Sequence, residues 1–173
     1  MSDARWHEVD NDVRSAVRHF SMAIRLHEKR DSCKDDFEEY QVCMALMHAM
    51  HAGHTSFEKA MMRILDMLQE ERPTGESWHM DLIYRVSHAL QDRPAILDPG
   101  LGKAANETRA FRNLANRGYD TFSLERCTPA ISAARVLMHG LPKAISDFRS
   151  LVDPPESDGS GDGSEGGTSG EPS

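Results

Sequence analysis

Residues 44–65 read MALMHAMHAGHTSFEKAMMRIL, and their large apolar side chains recur about every three or four positions. This period matches the turn of an α-helix and gathers the side chains on one face. The pattern continues on both sides and predicts one long helix from about Asp35 to Glu71. The near-heptad positions along it are Phe37, Tyr40, Met44, Met47, His51, His54, Met61, Leu65 and Leu68. Gly53 lies in the middle, where we expect a bend or the close approach of another backbone.

The segment before this helix and the segments after it show the same period. A first helix of about six turns carries Trp6, Val9, Val13, Val17, Phe20 and Ile24. A third helix is predicted from Ser77 to Leu90, with Ser77 as its N-cap. The fourth begins near Pro99 and carries Leu101, Ala105, Thr108, Phe111 and Leu114.

The last helix is predicted to begin near Pro129, because proline suits the first turn of a helix. It carries Ala134, Leu137, Leu141, Ile145, Phe148 and Val152. Gly140 and Pro142 lie inside it and predict a kink. No stretch alternates β-branched residues as a strand would. The predicted fold class is therefore all-α: an up-and-down bundle of about five helices joined by short connections.

Composition divides the chain into a helical domain, residues 1–152, and a tail, residues 153–173. The tail is rich in glycine, serine and acidic residues, and we expect it to be disordered because it has too little apolar surface to bury. It contains six acidic residues and no lysine or arginine, whereas the whole chain has a net charge of −8. Residues 1–152 therefore carry a net charge of only −2, and acidity does not exclude a nucleic-acid partner.

The chain has three cysteines, Cys33, Cys43 and Cys127, whose spacing is not that of a metal site or a disulfide framework. An odd number of cysteines and a polar N-terminus without a secretory leader predict a reduced, cytoplasmic protein. No apolar run approaches the roughly 20 residues that a membrane span needs, so no membrane association is expected.

The long helix also has histidines at three-residue spacing, His48, His51 and His54, followed by Glu58. His51, His54 and Glu58 share a helical face, so a metal site is conceivable. We favour packing and hydrogen bonding in a methionine-rich seam, and predict neither a metal nor a cofactor. The methionines outnumber the positions of one inward stripe, and this surplus predicts a homodimer that buries part of the helix.

Residues 111–120 read FRNLANRGYD and contain Arg112, Asn113, Asn116, Arg117 and Tyr119. One interpretation is a helix end, where arginines interact favourably with the dipole and a glycine ends the helix. The other is a phosphate-binding site, because guanidinium groups bind phosphate oxygens in bidentate fashion.

The same stretch resembles the motif of HepT-like ribonuclease toxins in the HEPN superfamily: arginine, four residues, histidine, any residue, tyrosine. Arg112, the polar residue after it and Tyr119 match this motif, while Arg117 stands where the family has histidine. The similarity extends over most of residues 5–152, including the early tryptophan, the methionine-rich stretch and the start of the third helix at Trp78-His79.

The resemblance implies an all-α bundle that dimerises and brings two motifs together in one cleft. It also implies metal-independent RNA cleavage, in which a ribose 2′-hydroxyl attacks the adjacent phosphate. The implied catalytic set is Arg112, Arg117 and Tyr119, with phosphate also bound by Asn113 and Asn116. Arg117 cannot perform the proton transfer of the family histidine, because a guanidinium stays protonated at neutral pH. Whether the chain is an active enzyme therefore stays open.

HepT-like toxins are paired with minimal nucleotidyltransferase antitoxins, which implies such a partner here and makes Tyr119 a candidate for AMP transfer. The sequence thus predicts a toxin component that binds RNA as a dimer, with weak or lost endoribonuclease activity. The alternative is a non-catalytic interaction module that docks a nucleotidyltransferase or binds a nucleotide. A plain helical scaffold is a third possibility if the cleft is buried packing.

Overall fold

The part of the chain that the structure describes forms five α-helices. The structure is a computed structural model that describes residues 3–90, 93–117 and 127–154, and for residues 113–117 it describes the helix backbone alone. The helices are α1 (Asp3–Lys29), α2 (Asp36–Met67), α3 (Trp78–Val86), α4 (Pro99–Arg117) and α5 (Thr128–Val152), and a 3₁₀ turn, Arg30–Ser32, follows α1. The described residues contain no strand, so the predicted all-α class is confirmed.

Two helix starts have side-chain caps that the local sequence explains. The carboxylate of Asp35 accepts a hydrogen bond from the backbone N–H of Glu38, at 2.8 Å, ahead of α2. Asp98 accepts one from Leu101, also at 2.8 Å, and Pro99 occupies the first position of α4.

The predicted end of α3 was wrong, whereas its predicted N-cap residue is confirmed in position. The helix ends at Val86, four residues before Leu90. Ser77 occupies the N-cap position but makes no side-chain cap. Its hydroxyl donates instead to the carboxylate of Asp81, at 3.2 Å.

The packing order places α2 at the centre of the bundle. Helix α1 packs on α2 and α5, α4 packs on α5 and α2, and α3 packs on α4 and α2. The predicted apolar stripe of α1 is confirmed: five of its six residues are buried and Val17 is partly buried. Helix α5 continues through Pro142 to Val152.

The apolar residues of α2 are distributed differently from the predicted seam. Phe37 and Tyr40, assigned to the inward stripe, are 69% and 62% exposed. Met47, Met61 and Leu65 of the predicted stripe are buried as expected, and the core also contains Leu46, Met50, Phe57, Ala60 and Ile64. Because α1, α3 and α4 all contact α2, more than one of its faces is buried within the single chain. The surplus of methionines is therefore no argument for a dimer.

Gly53 marks the close approach of α1 to α2. A Cβ atom built at this position would lie 2.8 Å from Cδ1 and from Cε1 of Phe20, and the Phe20 ring is fully buried. The position is thus closely approached, but by an aromatic ring rather than by the expected backbone.

The first helix contacts the end of the last helix through Trp6 and Asp153. Nε1 of Trp6 donates to Oδ2 of Asp153 at 2.8 Å, and the Arg149 guanidinium lies 5.3 Å from the Trp6 ring centroid. Asp153, which composition assigned to the tail, therefore contacts the bundle. The remaining tail, residues 155–173, lies outside the described residues. No helix in the described ranges is both long and apolar enough to cross a membrane.

An ion pair fixes the connection that leads from α3 to α4. Nη2 of Arg93 donates to Oε2 of Glu70 at 3.1 Å, and also to the backbone carbonyl of Arg85 at 3.1 Å. Arg93 thereby ties the segment before α4 to the end of α3 and to the loop after α2. This bracing holds α3 against α2 and α4, where the candidate site lies.

Candidate functional site

Glu58 is a buried carboxylate at the point where α2, α3 and α4 meet. Its side chain is only 5% exposed. It accepts hydrogen bonds from three side chains, one in each of these helices: His54 of α2, His79 of α3 and Arg112 of α4. A buried charge is stable only when it is paired and hydrogen-bonded in this way.

The innermost partner is His54, whose side chain is fully buried one turn before Glu58. Its Nε2 lies 3.1 Å from Oε1 of Glu58, and its Nδ1 lies 2.9 Å from Oγ1 of Thr108. The Thr108 hydroxyl also lies 3.0 Å from the carbonyl of Ala105, and its one proton serves either that carbonyl or Nδ1. Because the ionised carboxylate of Glu58 can only accept, Nε2 of His54 is the donor in their contact.

His79 is the more accessible histidine of the site. It is the second residue of α3, and its side chain is 25% exposed. Nδ1 donates to Oε1 of Glu58, which leaves Nε2 as the acceptor nitrogen of the neutral ring. The ring stacks on Trp78, with centroids 3.6 Å apart. The carboxylate and the indole together fix the orientation of the imidazole.

Arg112 lies one turn after Thr108 on the inner face of α4, and its side chain is 22% exposed. Nη1 lies 3.2 Å from Oε2 of Glu58, and 3.3 Å and 3.4 Å from the two ring nitrogens of His79. Within the described residues, all polar contacts of Arg112 run through this one nitrogen. Its Nε and Nη2 groups are therefore not committed to the network, and guanidinium donors of this kind suit phosphate oxygens.

Three donors around one carboxylate also explain the ionisation of Glu58. Burial by itself raises the pKa of the carboxyl group, but the hydrogen bonds that Glu58 accepts from His54 and His79 outweigh burial and hold the pKa below its ordinary value. The site therefore contains a carboxylate that stays charged in a buried position.

The motif residues are only partly described. Arg112 is placed in the network above, whereas Asn113, Asn116 and Arg117 are described as backbone of α4 without side chains. Tyr119 lies outside the described residues. The roles assigned to these four residues in phosphate binding, catalysis or modification stay predictions.

The histidines of α2 do not form the face that the spacing indicated. His54 and Glu58 are buried, whereas His51 is exposed. Partial burial and the positive charge of Arg112 lower the pKa of His51. In the described residues, no three histidine, cysteine or acidic side chains are arranged to hold a metal ion.

The sequence alone does not indicate His79 or Thr108 as members of the site. Thr108 falls in the predicted apolar stripe of the fourth helix, and His79 stands in a predicted helix start. One feature of the sequence points to the site: Glu58 lies among apolar residues of α2, next to Phe57 and close to Ala60, and all three are buried. An acidic residue in such a phase needs cationic partners.

Comparison with known proteins gives the family. A family model described as HepT-like protein matches residues 45–152, which is more than half of the chain and includes Glu58, His79 and Arg112. No curated protein and no solved structure matches the chain. The resemblance seen in the motif is thereby confirmed at the level of the family. The chain belongs to the HepT-like family of the HEPN superfamily.

Proposed function

We propose that this protein is the toxin component of a toxin–antitoxin pair, acting in the cytoplasm as an RNA-binding homodimer with weak or lost metal-independent endoribonuclease activity. The observation that carries the proposal is the placement of Arg112. Glu58 accepts a hydrogen bond from one terminal nitrogen, and no contact within the described residues engages Nε or Nη2, so these donors can bind phosphate. A preorganised guanidinium of this kind suits the RNA backbone.

The motif substitution argues for weak cleavage. The family position of the histidine holds Arg117, whose guanidinium neither takes up nor releases a proton near neutral pH. Arg117 adds positive charge instead, and with Arg112 it favours binding of a phosphate backbone over its hydrolysis.

Dimerisation is proposed from the family, in which two motifs share one cleft. Exposed apolar side chains next to the site are compatible with it: Met80 is 49% exposed and Tyr84 is 60% exposed, one turn apart on α3. His79 precedes Met80 directly, so a partner packed on this face would lie beside the site.

A minimal nucleotidyltransferase is the proposed partner. Transfer of AMP to Tyr119 would place a bulky anion beside the arginines of the motif and block RNA. The second candidate function, a non-catalytic module that docks this enzyme, is favoured by one observation: the transfer needs Tyr119 but no histidine in the motif.

RNA binding is tested with Arg112→Gln. The glutamine amide can still donate to Glu58, so the fold should be retained while the charge is lost. Because a hydrogen bond to a charged group contributes about 1.5–3 kcal/mol, we expect binding of a mixed-sequence RNA pool to weaken about tenfold to a hundredfold. The salt dependence should also decrease by about one unit of slope. Affinity is measured by fluorescence anisotropy between 50 and 300 mM salt, roughly the range over which phosphate contacts are screened.

Arg135→Gln is the matched control, since it removes the same charge from α5, where Arg135 pairs with Glu28 of α1. Light scattering on the same samples should give about twice the 19.4 kDa chain mass. If the wild-type protein binds no RNA, or if the Arg112 and Arg135 variants lose affinity equally, a specific phosphate site at Arg112 is excluded.

A further inference from the structure

We propose that His79 performs the proton transfer that position 117 cannot, so that the residual cleavage of RNA runs on the His79–Glu58 pair. This inference rests on the proposed RNA-binding function. It adds to that function a catalytic residue from α3, outside the motif of α4.

Position is the first reason. Among the groups that contact Glu58, His79 is the histidine that combines partial exposure with contact to Arg112. His54 is fully buried and has both nitrogens engaged by Thr108 and Glu58. It therefore has no nitrogen left for a substrate.

Orientation is the second reason. Glu58 holds Nδ1 of His79, and stacking on Trp78 fixes the plane of the ring. A carboxylate bound to one imidazole nitrogen sets the tautomer and leaves the other nitrogen to accept a proton. Exposed His51 has no hydrogen bond to Glu58 within the described residues, so nothing comparable orients its ring.

Proximity to the phosphate site is the third reason. Nη1 of Arg112 lies 3.4 Å from Nε2 of His79, beyond the usual 2.7–3.2 Å of a strong hydrogen bond. The contact is therefore weak, and a ribose hydroxyl can displace it from Nε2. A phosphate bound by the remaining donors of Arg112 would lie next to Nε2, where a general base is effective.

The reaction is a transesterification that needs no co-reactant. Nε2 of His79 takes the proton of the ribose 2′-hydroxyl, and the 2′-oxygen forms a bond to the adjacent phosphorus. The bond from phosphorus to the 5′-oxygen breaks, and the imidazolium returns its proton to that oxygen directly or through water. The products are a 2′,3′-cyclic phosphate and a 5′-hydroxyl. Arg112 stabilises the charge on the phosphorane.

His79→Asn is the decisive variant. The amide nitrogen of asparagine can replace Nδ1 as a donor to Glu58, while the base at Nε2 is removed. We expect cleavage of a mixed-sequence RNA pool to fall about 10²-fold or more, with RNA affinity within a few-fold of wild type. His79→Ala tests the chemistry in a second way, because added imidazole should restore part of its cleavage if the missing group is a base.

Two further variants serve as the negative and the positive control of the cleavage assay. His139→Gln, an exposed histidine of α5, should cleave like wild type. Arg117→His restores the family histidine and shows that cleavage can be detected. A DNA pool of the same sequences should not be cut by any of them, since it lacks the attacking hydroxyl. Thermal melting confirms that each variant is folded.

The possible outcomes separate this inference from the proposed function. Loss of cleavage with retained binding in His79→Asn, together with imidazole rescue of His79→Ala, supports a catalytic His79. Wild type that binds RNA without cleaving it, or His79→Asn that cleaves like wild type, overturns the role of His79 and leaves RNA binding intact. Loss of binding and cleavage together in His79→Asn also overturns it. Wild type that does not bind RNA overturns both proposals.

Discussion

At the scale of single residues, Glu58 organises the site. One buried carboxylate accepts hydrogen bonds from side chains of three helices. Without this carboxylate, two imidazoles and a guanidinium would lie side by side with no anionic partner. Removing one member of a buried charged group is costly, because the others lose their partner; typical losses are about 3–5 kcal/mol. Glu58 is therefore both a structural centre and the group that orients His79 and Arg112.

The depressed pKa of Glu58 predicts a specific acid sensitivity. A carboxyl group whose pKa is lower in the folded state contributes stability above its unfolded pKa, about 4.3, and loses it as the pH falls through the folded value. Urea unfolding from pH 7 to 3 should therefore show wild type losing stability in acid more steeply than Glu58→Gln. Glu107→Gln, at an exposed position of α4, should behave like wild type. Parallel acid profiles for wild type and Glu58→Gln would contradict this account.

At the scale of the helices, the contact between α1 and α2 depends on the absence of a side chain at Gly53. Glycine inside a helix costs about 0.5–1 kcal/mol relative to alanine, so local propensity alone disfavours it. The Phe20 ring occupies the space that a Cβ atom would need. Tertiary packing therefore outweighs helix propensity at this position.

Gly53→Ala should destabilise the protein although alanine is the better helix former. Overpacking a filled core typically costs about 1–3 kcal/mol, which exceeds the gain in propensity of up to about 1 kcal/mol. Chemical denaturation measures the free energy of unfolding. In a Phe20→Leu background, where the ring is absent, the same substitution should cost less or stabilise. A stabilised Gly53→Ala single variant would show that α1 can move away from α2 without loss.

At the scale of the whole molecule, a hydrogen bond between Trp6 and Asp153 joins the ends of the bundle. Trp6 in α1 and Asp153 after α5 are 147 positions apart in sequence, and the indole N–H is bonded to the carboxylate. The structural end of the bundle thus lies beyond the compositional boundary at residue 152. Residues 155–173 lack large apolar side chains and stay predicted as a tail that contributes no stability.

Two truncations test where the bundle ends. Deleting residues 155–173 should leave the melting temperature unchanged, whereas deleting residues 153–173 also removes the partner of Trp6. The loss of about 1 kcal/mol expected for one hydrogen bond corresponds to a decrease of about 2–4 °C for a domain of this size. Asp153→Ala in the full chain should reproduce that decrease. Equal melting temperatures for both truncations would show that this bond does not stabilise the bundle.

The sequence by itself determined the helices, their approximate ends and the motif that led to the family. These are local features: the period of the apolar residues, the start of α4 at Asp98-Pro99 and the motif spacing from Arg112 to Tyr119. Local chemistry is sufficient to recognise each of them. Only the tertiary structure decided which polar residues meet. Glu58 and Arg112 are 54 positions apart, and no local pattern predicts that α3 brings His79 between them. Their meeting depends on how three helices pack, because each helix alone would leave its charged side chain in water.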